Sequence, residues 1–112
     1  PLGWHIPTDS DWTVLTDYLG GEGVAGGKMK STSGWDTSNV IATNESGFSC
    51  LPGGPRVNGN FCCNDGGSGA WWSSSGSTSV NAWARAIYST YNYVLRGDGY
   101  KVNGYYIRCL KD

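Results

Sequence analysis

The side chains that could do covalent or metal chemistry in this chain are few: one histidine, His5, and four cysteines, Cys50, Cys62, Cys63 and Cys109. A nucleophile and base pair would have to include His5, which stands two residues before Pro7 in a stretch that reads as the approach to a helix. Zinc is disfavoured, because there is no Cys-x-x-Cys pair and the single histidine is far from every cysteine in sequence. Asp9 and Asp11 are better helix-start charges than paired catalytic acids, since an acidic group favours the positive end of a helix. No catalytic residue, metal or cofactor is therefore expected. An even number of cysteines in a small Gly-, Ser- and Asn-rich chain points instead to an oxidising compartment and a disulfide, with buried free thiols as the alternative. Adjacent Cys62 and Cys63 cannot join each other without strain, so the expected bridge links Cys50 to one of them across a short loop.

What remains is recognition. Residues 89–104 carry Tyr91, Tyr93 and Tyr100 with Asn92, Arg96, Asp98 and Asn103, and show almost nothing that asks for burial. Tyrosine provides large contact area at small entropic cost, and Ser, Asn and Gly adapt their hydrogen bonds, so this composition is that of a binding loop. Just before it, Ala82, Ala84, Ala86 and Tyr88 alternate with Trp83, Arg85 and Ile87. A strand there has one small-residue face, suited to close packing or to a surface kept low for a partner. The expected binding surface comprises Ala84, Ala86, Tyr88, Tyr91, Asn92, Tyr93, Arg96, Asp98, Tyr100 and Tyr106, with Tyr105 assigned to packing.

These residues must be held by a modest scaffold. The chain has 112 residues, a formal charge of −1, 18 glycines and 13% aromatic residues. That is one domain with one core, built more on Trp and Tyr than on Leu and Ile. Only 15% of residues are charged, which leaves no electrostatic footprint for nucleic acid. No apolar run is long enough to span a bilayer, so direct membrane insertion is not expected. The abrupt start at Pro1 reads as an excised piece, attached to something larger.

Trp4 and Ile6 share one face of a short extended segment. Thr8 then offers an N-cap hydroxyl with Asp11 three residues on, predicting a helix from about Asp9 with an apolar stripe of Trp12, Leu15 and Leu19, stopped by Gly20-Gly21. A shorter helix over residues 24–30 is predicted although Gly26 and Gly27 each cost it about 1 kcal/mol relative to Ala. Residues 31–46 have loop chemistry around one aromatic lid, Trp35. Strands are predicted at residues 48–51, 70–74, 82–88 and 105–110, the last with Ile107 and Cys109 facing the core. Asn58-Gly59 is a hairpin turn with Phe61 as its apolar tether. The fold class is α+β: one or two helices on small twisted antiparallel sheets with long loops.

Two groups of motifs carry a resemblance. Gly3-Trp4-His5-Ile6-Pro7-Thr8-Asp9-Ser10-Asp11-Trp12 resembles the opening signature of the Fibrobacter succinogenes major paralogous domain, a bacterial surface-protein family. Ser31-Thr32-Ser33-Gly34-Trp35, Gly47-Phe48-Ser49-Cys50-Leu51-Pro52-Gly53-Gly54, Trp71-Trp72-Ser73-Ser74, Ala82-Trp83 and Ile107-Arg108-Cys109-Leu110 follow in the family's order. The resemblance implies a C-type-lectin-like fold related to that of formylglycine-generating enzymes, and an upstream segment that supplies an early strand and a partner for Cys109. The enzymes of that kind carry a reactive cysteine pair before the terminal Arg-Cys, and residues 80–87 contain none. Calcium-dependent lectins carry clustered carboxylates where this chain has Leu51-Pro52-Gly53 and Cys63-Asn64-Asp65, too few for a cation that takes about six to eight oxygens. The expectation is a non-catalytic extracellular binding or adhesion module, bacterial or phage-encoded, presenting its C-terminal surface to a protein or glycan. Related scaffolds are diversified by retroelements at that surface. A pilus or surface display domain without a ligand is the alternative, and a formylglycine-generating-type enzyme a more distant one.

Overall fold

The computed structural model describes residues 1–61 and 66–112. Its elements are β1 (Trp4–His5), α1 (Asp9–Tyr18), α2 (Glu22–Met29), β2 (Arg56–Val57), β3 (Asn60–Phe61), β4 (Ser68–Gly76), β5 (Asn81–Tyr88), β6 (Val94–Tyr100) and β7 (Leu110–Lys111). The principal sheet is antiparallel in the order β4-β5-β6, β2 and β3 form a hairpin, and β1 pairs with β7 near the two ends of the described chain. This is an α+β protein with two helices and small antiparallel sheets.

α1 begins where its capping chemistry predicts. The Asp11 backbone N–H donates to Thr8 Oγ1 at 3.1 Å and the Thr8 N–H donates to Asp11 Oδ2 at 2.8 Å, a reciprocal capping box. Trp12 and Leu19 are buried, with Leu15 packed beside them. α2 starts two residues before the predicted boundary, immediately after Gly21 turns the chain at φ 102°. The glycines that weaken it have a purpose. A Cβ on Gly26 would lie 2.6 Å from the Tyr93 carbonyl oxygen and 2.7 Å from that of Asn92, so the helix backbone sits directly against the β5–β6 connection. The core formed by these elements contains Trp12, Ala25, Met29, Cys50, Trp71, Ile87 and Val94.

Four features depart from the sequence reading. Residues 48–51 make a single bridge, Lys30 with Cys50, and no strand, because Ser49 takes φ 55° and is locked there by reciprocal bonds with the Asn44 side chain. The Asn58-Gly59 hairpin forms, but Phe61 is 82% exposed and tethers nothing to the core. Residues 89–104 are not an excursion: they contain β6, whose Val94 is only 2% exposed. Finally, residues 105–110 do not form the predicted strand. Tyr106 bridges Trp71 at the β4 edge and the chain then leaves to pair with β1, so Ile107 is 55% exposed and Cys109 is exposed rather than core-facing. Cys50 is buried with a free thiol pushed up to about 12 by that burial; its expected bridge partners, Cys62 and Cys63, lie outside the described residues.

Helix α1 is fixed to the sheet by one carboxylate. Arg85, fully buried, donates from Nη1 to Asp9 Oδ1 at 2.6 Å and from Nη2 to the Asp9 carbonyl and Thr13 Oγ1, both at 3.2 Å. Arg96 donates to Asp9 Oδ2 from Nη2 at 2.8 Å, with its guanidinium 3.7 Å from the centre of the Trp83 ring. Burial pushes the Asp9 carboxyl up, but hydrogen bonds from Arg96 and Arg85 and the two charges outweigh it and hold the carboxyl below its usual range. Replacing Asp9 by Asn would deprive the buried Arg85 charge of its hydrogen-bonded counterion, leaving Glu22 Oε1 4.0 Å from Nε. The expected loss is about 3 kcal/mol of stability, measured by urea unfolding of Asp9→Asn against wild type.

The termini of the described chain are joined by His5, whose Nδ1 is 2.6 Å from Asp112 Oδ1 and whose Nε2 is 3.4 Å from Asp11 Oδ2. The hydrogen bond with Asp112, aided by Asp11, raises the His5 pKa above its ordinary 6.5. A raised histidine pKa favours folding below the unfolded value, and the gain disappears as pH climbs through the folded value. The protection factor of the Asp112 amide, which donates to the Gly3 carbonyl at 3.0 Å, should therefore fall as pH rises from below 6.5 through the raised His5 pKa. His5→Gln should flatten that dependence in an amide-exchange series.

Candidate functional site

Strand registers place Ser68, Ala70 and Trp72 of β4, Ala82, Ala84, Ala86 and Tyr88 of β5, and Leu95, Gly97 and Gly99 of β6 on one face of the principal sheet. The other face presents Trp71, Trp83, Arg85, Ile87, Val94 and Arg96 to the helix side and the core. The alternation predicted along β5 is therefore the real one. Small residues dominate the centre of the open face, and Tyr88, Leu95, Tyr105 and Pro55 stand around it, enclosing a groove of about 230 Å³. Tyr105 forms one wall by stacking on Trp72 with ring centres 4.2 Å apart. Gly99 is needed there, since a Cβ on it would lie 2.7 Å from the Tyr105 hydroxyl.

Gly97 is different. It sits mid-strand, opposite Ala84, with φ outside the left-handed region, and a Cβ built on it would meet nothing within 4 Å. Glycine in a strand interior forfeits about 0.5–1 kcal/mol relative to Ala and leaves no side chain to pack. The fold asks for none of this. Its visible consequence is an unfilled groove floor.

Beyond Tyr88 the groove face continues into the β5–β6 turn, where Tyr88 and Tyr91 meet edge-to-face at 6.2 Å and Tyr91 stacks on Tyr93 at 4.8 Å. A buried cation holds this turn. Lys30, with no accessible surface, donates from Nζ to the carbonyls of Tyr88 (3.2 Å), Ser89 (3.1 Å) and Tyr91 (3.1 Å) and to Asn39 Oδ1 (2.9 Å). Burial lowers its pKa, with the Asp36 charge opposing. The half-buried Trp35 ring lies 5.5 Å from the ammonium and packs on the core, the lid role expected of it.

The expected binding residues thus fall into three groups. Ala84, Ala86 and Tyr88 line the groove; Asp98 borders it with its backbone, but its side chain lies on the helix side opposite Trp83, where the carboxylate accepts from Ser77 Oγ (2.7 Å) and Asn81 Nδ2 (3.1 Å), which hold its pKa down. Tyr91 and Tyr93 form the adjoining stack, with Tyr91 48% exposed. The other four stand elsewhere. Asn92 gives its carbonyl to the Gly27 N–H of α2, and Arg96 pairs with Asp9 on the helix side of the sheet. Tyr100 ends β6 on that same side, paired with Asn81. Tyr106 packs against Trp71 at 5.6 Å with its hydroxyl abutting Gly53, in a separate hollow with Phe48, Leu51 and Ile107. Sequence reasoning missed Leu95, Gly97 and Lys30. Leu95 and Gly97 became visible only once β6 was known to be a strand, and nothing in the sequence marks Lys30 as a buried cation.

The model of the Fibrobacter succinogenes major domain matches residues 1–111, and the chain belongs to this family. No curated protein and no solved structure matches it. Among the described residues, no helix is long and apolar enough to cross a membrane.

Lys30→Met would keep the stem and remove every donor, depriving the Tyr91 carbonyl and Asn39 Oδ1 of the ammonium at about 1–3 kcal/mol each, while the Ser89 carbonyl keeps the Val40 N–H and the Tyr88 carbonyl the Tyr91 N–H. The expected loss is at least about 2 kcal/mol in denaturant unfolding, accompanied by faster amide exchange in residues 88–93.

Proposed function

We propose that this chain is a non-catalytic ligand-binding module, carried on a bacterial extracellular or surface-attached protein, that binds a protein or glycan in the groove of its open sheet face. The observation that carries the reading is Gly97: a mid-strand glycine that the fold does not require, flanked on the same face by Ala84 and Ala86, in a groove walled by Tyr88, Leu95 and Tyr105. Ligand sites are concave, largely apolar and fitted with a few polar groups that set orientation, and this groove has that composition. The pairing of the terminal strands β1 and β7, the two helices and the long loops around a small sheet support a C-type-lectin-like arrangement. Tyr91 and Tyr93 extend the surface as an aromatic ledge. Support for a binder over a catalyst comes from the side chains: among the described residues, those lining the groove face include no histidine, cysteine or carboxylate, since Asp98 turns its side chain to the other face beside Trp83.

Gly97→Val tests the reading because stability and binding should move in opposite directions. A β-branched residue fits the strand and meets no neighbour, so unfolding stability should hold or rise by about 0.5–1 kcal/mol. Wild type and variant would be compared on arrays of defined glycans and peptides. Signals given by wild type and lost by the variant are expected. Equal signals from both proteins would move the site elsewhere, and an absence of wild-type signals would favour a display domain without its own ligand.

A further inference from the structure

The open edge of the sheet points to the class of ligand. Trp72 N–H donates to the Tyr106 carbonyl at 2.9 Å and Tyr106 N–H donates to the Ala70 carbonyl at 2.8 Å, so Ala70 and Trp72 turn their backbone groups away from β5. Their partners Ala86 and Ala84 must then turn theirs toward β6, onto Leu95 and Gly97. By the same alternation Arg96 and Asp98 direct N–H and C=O outward, and no other described residue bonds to them, the Asp98 N–H meeting only its own carboxylate. The β4 edge is covered by Tyr106; among the described residues nothing pairs with the outer edge of the seven-residue β6.

Exposed edges are ordinarily guarded by charged side chains, since an unpaired ladder recruits other strands. Both charges on this edge are withdrawn from that duty. Arg96 is drawn back onto Asp9 and the Trp83 ring, and Asp98 onto Ser77 and Asn81. The residues between and beyond them, Gly97 and Gly99, have no side chains. The edge therefore offers free backbone groups, no uncommitted charge and, at Gly97, a direct opening into the groove.

We propose that the ligand is an extended, uncharged peptide segment of another protein that adds to β6 as a fourth strand and lays one large apolar side chain over Gly97 into the groove. Main-chain bonds to Arg96 and Asp98 provide attachment, and the alternate side chain facing the groove provides selectivity. Wide discrimination at that one position follows, because the floor of Ala70, Ala84, Ala86 and Gly97 leaves room for a ring between Tyr88, Leu95 and Tyr105. This rests on the reading of the groove as the binding site and adds the ligand's chemistry to it.

The test uses capped heptapeptides of alternating Thr and Val with a central Ala, Val or Phe, and a set of neutral oligosaccharides, titrated into the isotope-labelled full chain. The expected result is at least ten-fold slower exchange of the Arg96 and Asp98 amides with the Phe peptide, affinity in the order Phe, Val, Ala, and loss of that order in Gly97→Val. A peptide of the same composition with N-methylated backbone at the pairing positions should not bind. Oligosaccharides that shift Ala84, Ala86 and Gly97 while leaving the Arg96 and Asp98 amides unprotected would keep the groove and overturn strand addition. Response of neither groove nor edge to any of these probes would overturn both.

Discussion

A fully buried guanidinium is tolerable only where its charge is met, and in this protein Asp9 meets it. Arg85 reaches from the middle strand of the principal sheet to the first residue of α1, where the carboxylate also takes Arg96 from the edge strand. Three elements are thereby referred to one group whose own position is set by the Thr8 cap next to it. The cost of dehydrating Arg85 means that a shift of α1 along the sheet is opposed by more than lost packing. It also decides which face of the sheet is committed: Trp83, Arg85 and Ile87 are turned to the helix side, and alternation turns Ala84, Ala86 and Tyr88 outward.

Lys30 solves a similar problem by different means. Among the described residues it has no carboxylate within ion-pair distance, and it gathers carbonyl oxygens of a turn that is held from outside by the Val40 and Gly27 N–H groups. An ammonium with three donors suits such a cage, whereas the planar fork of arginine does not. The two cations divide the molecule's work. Arg85 fixes the layers, and Lys30 fixes the turn carrying Tyr88, Tyr91 and Tyr93, so the aromatic ledge is held by an interaction beneath it that leaves the ring faces of the Tyr91 and Tyr93 stack outside the core.

Local signals in the sequence were read correctly where one short-range cause dominates. The Thr8 to Asp11 box, the Gly20-Gly21 stop, the Asn58-Gly59 turn and the alternation along β5 are all of this kind. Reading failed where a partner distant in sequence decides. Val94-Leu95-Arg96-Gly97-Asp98-Gly99-Tyr100 has two glycines and two charges and little strand propensity, yet β5 supplies every pairing it needs. Residues 105–110 show the reverse: their alternation is strand-like, but after Tyr106 no neighbour continues the ladder, and the apolar Ile107 is left outside. The proposed binding surface is thus half legible. Its tyrosines announce themselves by composition, while Arg96 and Asn92 look equally available in sequence and are consumed by α1 and α2.

What distinguishes the groove from ordinary surface is the difference between glycines that the backbone or packing demands and the one that neither demands. Gly26 admits the carbonyls of Asn92 and Tyr93, and Gly99 admits Tyr105; a side chain at either would collide with its neighbours. Gly97 has no such neighbour and no unusual dihedral, so its cost in strand stability is offset by nothing inside the molecule. A strand edge without side-chain guards carries a second cost, the risk of unwanted pairing. Two unreturned costs at one place, next to a groove floored by alanines and walled by aromatic rings, are what supports the proposed binding surface, where the compensating contacts would lie on the partner.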